Sequence, residues 1–167
     1  MNRRPLTAAL HAKISEQIER TQHLINLVPD NSIAWTPAIP GAWPLGTVLG
    51  HLLDCLAGFC AALHAAAPAA NLAALRDLPV NHACTPAEAA ARIAIYQEAL
   101  DRALAQVTDE HLSMQIPTVF TKNGELLLTL LLGNLEHLIN HKHQLFTYLK
   151  MMGVSVGSAD LYRFRAD

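Results

Sequence analysis

The stretch Glu136–Lys150, EHLINHKHQLFTYLK, decides the fold. Leu131, Leu138, Leu145 and Leu149 recur four or seven residues apart, which is the period of an amphipathic helix, and Gly153 closes the run. His137 and His141 lie four residues apart, so one imidazole stands above the other on the same side of the helix. Advancing about 100° per residue, His141 falls about 40° from His137. Both share the flank of the leucine stripe, while Glu136, His143, Thr147 and Lys150 fall on the opposite side. Two imidazoles so placed can reach one metal ion, and neutral imidazole ligates zinc, nickel, copper and iron. The alternative is a pair of half-buried histidines bonded to backbone or water. Either way they need partners, because a buried polar group left without one costs about 1–3 kcal/mol.

Working outward, this helix starts near Glu125 and ends at Met151 or Met152. Before it, Met114 to Lys122 alternates with β-branched residues and Lys122-Asn123-Gly124 reads as a turn, giving a short extended segment or hairpin. Thr85-Pro86-Ala87-Glu88 opens an earlier helix that continues to about Val107: Thr85 caps, Pro86 suits the first helical position and Glu88 completes a capping box. A first helix spans Leu6 to Val28, with Leu10, Ile14, Ile18, Ile25 and Val28 on one face and Pro29 as its stop. A second runs from about Pro44 to Ala66 with the stripe Leu45, Val48, Leu52, Leu56, Phe59 and Leu63. Residues 29–44 hold four prolines, Trp35, Trp43 and Gly41, a structured loop rather than a linker. Ala67 to Cys84 is mostly connection, with a short helical turn at Leu72 to Arg76, and Val154 to Asp167 receives no assignment. The expectation is all-α: a single domain, residues 1–167, folded as a four-helix bundle with long connections and a short extended segment before the last helix.

Composition narrows the function classes. With 51% apolar residues in a chain of 167, a real core is affordable in one domain. A formal net charge of -2 without Lys/Arg clusters argues against a nucleic-acid surface. Cys55, Cys60 and Cys84 are an odd number without zinc-type spacing, which fits a reducing cytoplasm. The N-terminal stretch turns amphipathic after its two arginines and does not read as a signal peptide. The longest apolar run, Leu126 to Leu132, is too short to span a bilayer, so no membrane is expected.

In a bundle, cofactor sites lie between facing helices, so His137 and His141 need a partner from another helix. His51 is the candidate, at the edge of the second helix's apolar stripe. Three imidazoles with open positions make a catalytic-type site; a lone core histidine is the other reading of residue 51. Asp54 stands one turn beyond it, either orienting its ring or simply exposed. Cys55 approaches the same angle, as a possible neighbour of the metal or as a small core residue. Gln144 lies close to His141 on the same wheel, placed to hydrogen-bond at the site or across a dimer seam, while Asn134 and Tyr148 border that face and line a pocket or pack. Trp35 and Trp43 cover one end of the bundle or shape a pocket mouth. His11, His23, His64, His82 and His111 have no partner at ligand spacing and read as ordinary surface or loop residues.

These motifs resemble the DinB/YfiT-like family of metal-dependent proteins. That family carries a histidine early in the second helix after a tryptophan/proline-rich loop, matched here by Trp43 to Asp54. Its second signature, H-x-x-x-H-[RK]-x-Q-[LI], is matched by His137, His141, Lys142, Gln144 and Leu145. His143 departs from the glycine usual before the glutamine, but it faces outward. The resemblance implies one divalent metal, zinc or nickel, on His51, His137 and His141, and a homodimer. It also implies thiol-dependent S-transferase or hydrolase chemistry on a small electrophile, with a low-molecular-weight thiol as cosubstrate. Other chemistries are excluded by the residues. Leu138 follows His137, so the H-E-x-x-H of zincin proteases is missing. None of the nine histidines has an acidic residue three positions before it, as a di-iron bundle would need. Beside the enzyme stand two alternatives: a non-catalytic metal-binding or ligand-sensing bundle, and a purely structural one with histidines in its core.

Overall fold

A computed structural model of the chain describes residues 5–76, 82–118 and 121–163. Four long helices carry the core: α1 (Pro5–Ile25), α2 (Leu45–His64), α4 (Pro86–Leu104) and α5 (Leu127–Met151). Two helices of four residues each, α3 (Ala73–Arg76) and α6 (Ser158–Leu161), bring the described total to six where the sequence reading gave four. α3 is the turn expected at Leu72–Arg76, and α6 lies in the tail that received no assignment. A two-residue antiparallel pair, β1 (Gln115–Ile116) with β2 (Glu125–Leu126), precedes α5.

Each helix boundary has a local cause. α1 buries Leu10, Ile14, Ile18, Leu24 and Ile25. It ends at Ile25 rather than Val28, because the last residues tighten to i→i−3 bonds, Leu27 N–H to Leu24 O and Val28 N–H to Ile25 O. Pro44 is extended (φ -58°, ψ 149°), so α2 starts one residue after it. Thr85 and Glu88 form the expected capping box on α4, Oγ1 accepting from Glu88 N–H and Oε2 from Thr85 N–H. α5 starts at Leu127, two residues late, because Glu125 and Leu126 are committed to the strand pair. The preceding turn needs Gly124: its φ is +75°, and a Cβ there would lie 2.4 Å from Ile116 O. Gly153 ends α5 in the left-handed conformation, φ +82°, with Val154 N–H donating to Leu149 O.

α2 is the central helix, packed on both α5 and α4, while α1 closes the other side against α4 and α5. Fourteen of its 20 residues are buried, which explains its composition. By length and hydropathy it could cross a membrane, yet most of it is buried inside the protein. The loop before it is held down by Leu45 N–H to Trp35 O and Gly46 N–H to Ile33 O, both 2.8 Å. That clamp places Trp43 over the start of α2.

Two buried polar features tie α5 to the rest. Lys142 is only 2% exposed. Its ammonium donates to Gln17 Oε1 of α1 at 2.6 Å and to Leu161 O of α6 at 3.0 Å. α6 itself is pinned to α1 by His23 Nε2 and Asp160 Oδ1, 2.7 Å apart.

Candidate metal centre

The α2–α5 seam brings the three histidines together. His51 comes from the second turn of α2, and His137 and His141 from successive turns of α5. Ring centroids are 5.0 Å apart for His51 and His137, 4.3 Å for His51 and His141, and 4.8 Å for His137 and His141. The planes cross at 69° to 86°, so the rings meet edge to face instead of stacking. His51 Nε2 and His137 Nε2 are 3.0 Å apart. Two neutral imidazoles can approach so closely only if one donates a proton to the other, or if both lone pairs turn to a cation. Nitrogens held by one zinc at about 2.0–2.1 Å and a tetrahedral angle lie about 3.3 Å apart, so the spacing fits a shared ion.

The protonation states suit this. His137 is held below the ordinary imidazole range by burial and then by its neighbours His141 and His51. His141 is likewise lowered, first by burial, with the Gln144 bond opposing. Both therefore keep their lone pairs at neutral pH. Gln144 Oε1 lies 2.8 Å from His141 Nδ1 and accepts its proton, which leaves Nε2 for a ligand. Asp54 Oδ2 lies 3.5 Å from His51 Nδ1, and its side chain is 9% exposed. It is not the exposed helical carboxylate the sequence also allowed. It faces the back of the His51 ring while Nε2 faces His137.

Cys55 is both a buried core residue and a neighbour of the imidazoles. Its Sγ and one nitrogen each from His51 and His137 all lie within 4.8 Å of one another. The thiol is buried and donates to His51 O at 3.3 Å. Burial, with Asp54 adding to it, pushes its pKa up to about 12, so it keeps its proton unless a cation displaces it. The i,i+4 relation to His51 was the signal for this placement, and only the seam geometry gives it meaning.

Trp43 was the residue sequence reasoning underweighted. Its ring meets His51 edge-on at 5.1 Å and stacks on His141 at 6.0 Å, 9° from parallel. At 39% exposed it stands between the imidazoles and solvent. Tyr148 holds that loop by donating to Trp43 O at 3.1 Å, accepts from Gln144 Nε2 at 3.4 Å and packs edge-on against Trp35. Asn134 does not join the cluster: its Nδ2 donates to Leu130 O, and its side chain lines a separate cavity. His11 and His23 serve as ties between helices, through Asp101 and Asp160, and His143 is exposed as expected.

The DinB superfamily family model matches residues 13–145, a span that includes α2 and most of α5. The chain belongs to the DinB superfamily. Its fold is similar to the crystal structure of the DinB-like protein YjoA from Bacillus subtilis, at TM-score 0.70 and 20% sequence identity, covering 93% of this chain and 99% of that one. No curated protein matches the sequence. For this DinB-superfamily chain, then, likeness gives family and fold, and the chemistry rests on the seam just described.

Proposed function

We propose that this DinB-superfamily chain is a metal-dependent enzyme, a four-helix bundle of the DinB/YfiT-like type. It holds one divalent ion, zinc or nickel, on His51, His137 and His141 and acts on a small electrophile as an S-transferase or hydrolase. The observation that carries the reading is the convergence of three imidazoles from two helices, with His51 Nε2 and His137 Nε2 at 3.0 Å. Bound there, such an ion supplies Lewis-acid activation of a small thiol or a water near neutral pH. The protein's own groups do the positioning. Asp54 steadies the His51 ring, Gln144 selects the His141 tautomer, and Trp43 screens the cluster from bulk water. Three free, buried cysteines fit residence in a reducing cytoplasm, and the family resemblance supports a homodimer and a low-molecular-weight thiol cosubstrate.

One observation favours a second reading, a non-catalytic metal-binding or sensing bundle. Were Cys55 to give up its proton and join the histidines, the set would become four-coordinate and closed, as in structural zinc sites. The two separate cleanly. Metal analysis of the purified protein should give one ion per chain, falling to trace in His51→Ala. With the ion present, turnover of small electrophiles with a low-molecular-weight thiol, undiminished in Cys55→Ser, supports the enzyme. A metal lost in Cys55→Ser with no turnover in the wild type supports the second reading. A wild-type protein free of stoichiometric metal after growth in supplemented medium rejects both.

A further inference from the structure

A cavity of about 390 Å³ lies in the same α2–α5 seam, bounded on its third side by the segment following β1. Its lining includes Gly58, Ala61 and Ala62 from α2, Leu130 and Asn134 from α5, and Ile116. These residues continue the ligand rows. On α2, residues 51, 55, 58 and 62 follow at three- and four-residue steps along one face; on α5, 130, 134, 137 and 141 do the same. Asn134 is thus one turn, about 4.5 Å along the axis, from His137, and Gly58 is about 10 Å from His51.

The lining defines the chemistry that fits. No charged side chain lines the cavity among the described residues, so an ionic group inside would be left unpaired at high cost. Its walls are alanine, glycine, leucine, isoleucine and proline, with Asn134 and two threonines as the polar members. The space is built by side-chain omission. At Gly58 a Cβ would sit 2.3 Å from Asn134 Oδ1, so the glycine makes room for that amide. At Gly133, on the rim, a Cβ would meet nothing within 4 Å. The volume is that of a small-molecule site.

We propose that this cavity binds an uncharged, mainly hydrocarbon group, the arm of a substrate whose reacting end meets the histidines. The second half rests on the metal reading above, and the test keeps the two apart. The uncharged fluorophore N-phenyl-1-naphthylamine is titrated into the wild type, into Gly133→Phe and Ala61→Phe, which fill the cavity from exposed rim positions, and into His51→Ala. Binding is expected to be saturable at one site, at least tenfold weaker in both filled variants, and unchanged in His51→Ala. Straight-chain alkyl hydroxamates are then titrated into the zinc-loaded protein. Their affinity should rise about fourfold per methylene until the cavity is full, and the rise should vanish in Gly133→Phe. Equal fluorophore binding to the wild type and both filled variants would overturn the proposal, as would hydroxamate affinity independent of chain length. A wild-type dimer made monomeric by Gly133→Phe would assign the groove to a second copy and overturn it too. Fluorophore binding intact in a protein that takes up no zinc would instead overturn the metal reading, and with it the assignment of the arm to a metal-bound substrate.

Discussion

Lys142 offers a direct measure of what burial costs in this fold. Its ammonium is enclosed between α1, α5 and α6, with Gln17 Oε1 and Leu161 O as hydrogen-bond acceptors. Burial pushes its pKa down from 10.5 to about 8, opposed by Glu16 and reinforced by Lys13 and Arg20. Below pH 8 the lysine is charged in both the folded and unfolded chain, and the folded state bears the whole desolvation penalty. Between about pH 8 and 10.5 the unfolded chain binds the proton and the folded one does not, so stability rises with pH across that window. At about 1.4 kcal/mol per pH unit the rise is about 3 kcal/mol. The assay is urea unfolding of chelator-treated wild type and Lys142→Met at half-unit steps from pH 7 to 11. Subtracting the variant removes the titration of every other group common to both. The difference should climb by about 3 kcal/mol and level off above pH 10.5. A difference flat across the range would mean that the two acceptors fully replace water around the ammonium, and the burial argument would fail.

Other outcomes follow from the same coordinates. Gly50→Ala should destabilise the protein by about 2 kcal/mol or more in thermal or urea unfolding, because the new Cβ would lie 1.5 Å from His82 O, a backbone atom with no side-chain freedom to move. Thr85→Ala should cost about 1 kcal/mol in the same measurements through loss of the α4 cap, and Thr85→Ser should recover most of it. Metal retention should persist as pH is lowered through 6.5 and fall only below it, since burial holds His137 and His141 below their ordinary pKa. Release to a colorimetric chelator would register this, and loss already at pH 7 would contradict it. Trp43→Ala should leave metal content near one per chain while raising the rate of that release, because the indole covers His51 and His141 without offering a ligand atom.

Much of this chain is legible because helical phase is a local property. The positions of His137, His141 and the leucines around a helix are fixed by rise and twist, so their common face can be read from spacing. The Thr85–Glu88 cap and the Gly153 stop are equally local. Their geometry depends on residues within one turn, and the structure carries each as expected. The late start of α5 was not legible, because two residues with good helical phase are claimed by a strand partner about ten residues upstream.

What tertiary structure alone decided is the register of one helix against another. Nothing in the spacing of α2 says that His51 will stand at the level of His137. That alignment comes from close packing of α2 on α5, where Gly58 yields room for Asn134. The same register brings Cys55 Sγ beside the imidazoles and opens the neighbouring cavity. The clamped loop swings Trp43 over the rings, and the return of the tail at α6 encloses Lys142. Periodicity specifies which side of a helix turns inward. Which side chain it meets there is set by volumes and contacts summed over the whole core, and those exist only once the helices have packed.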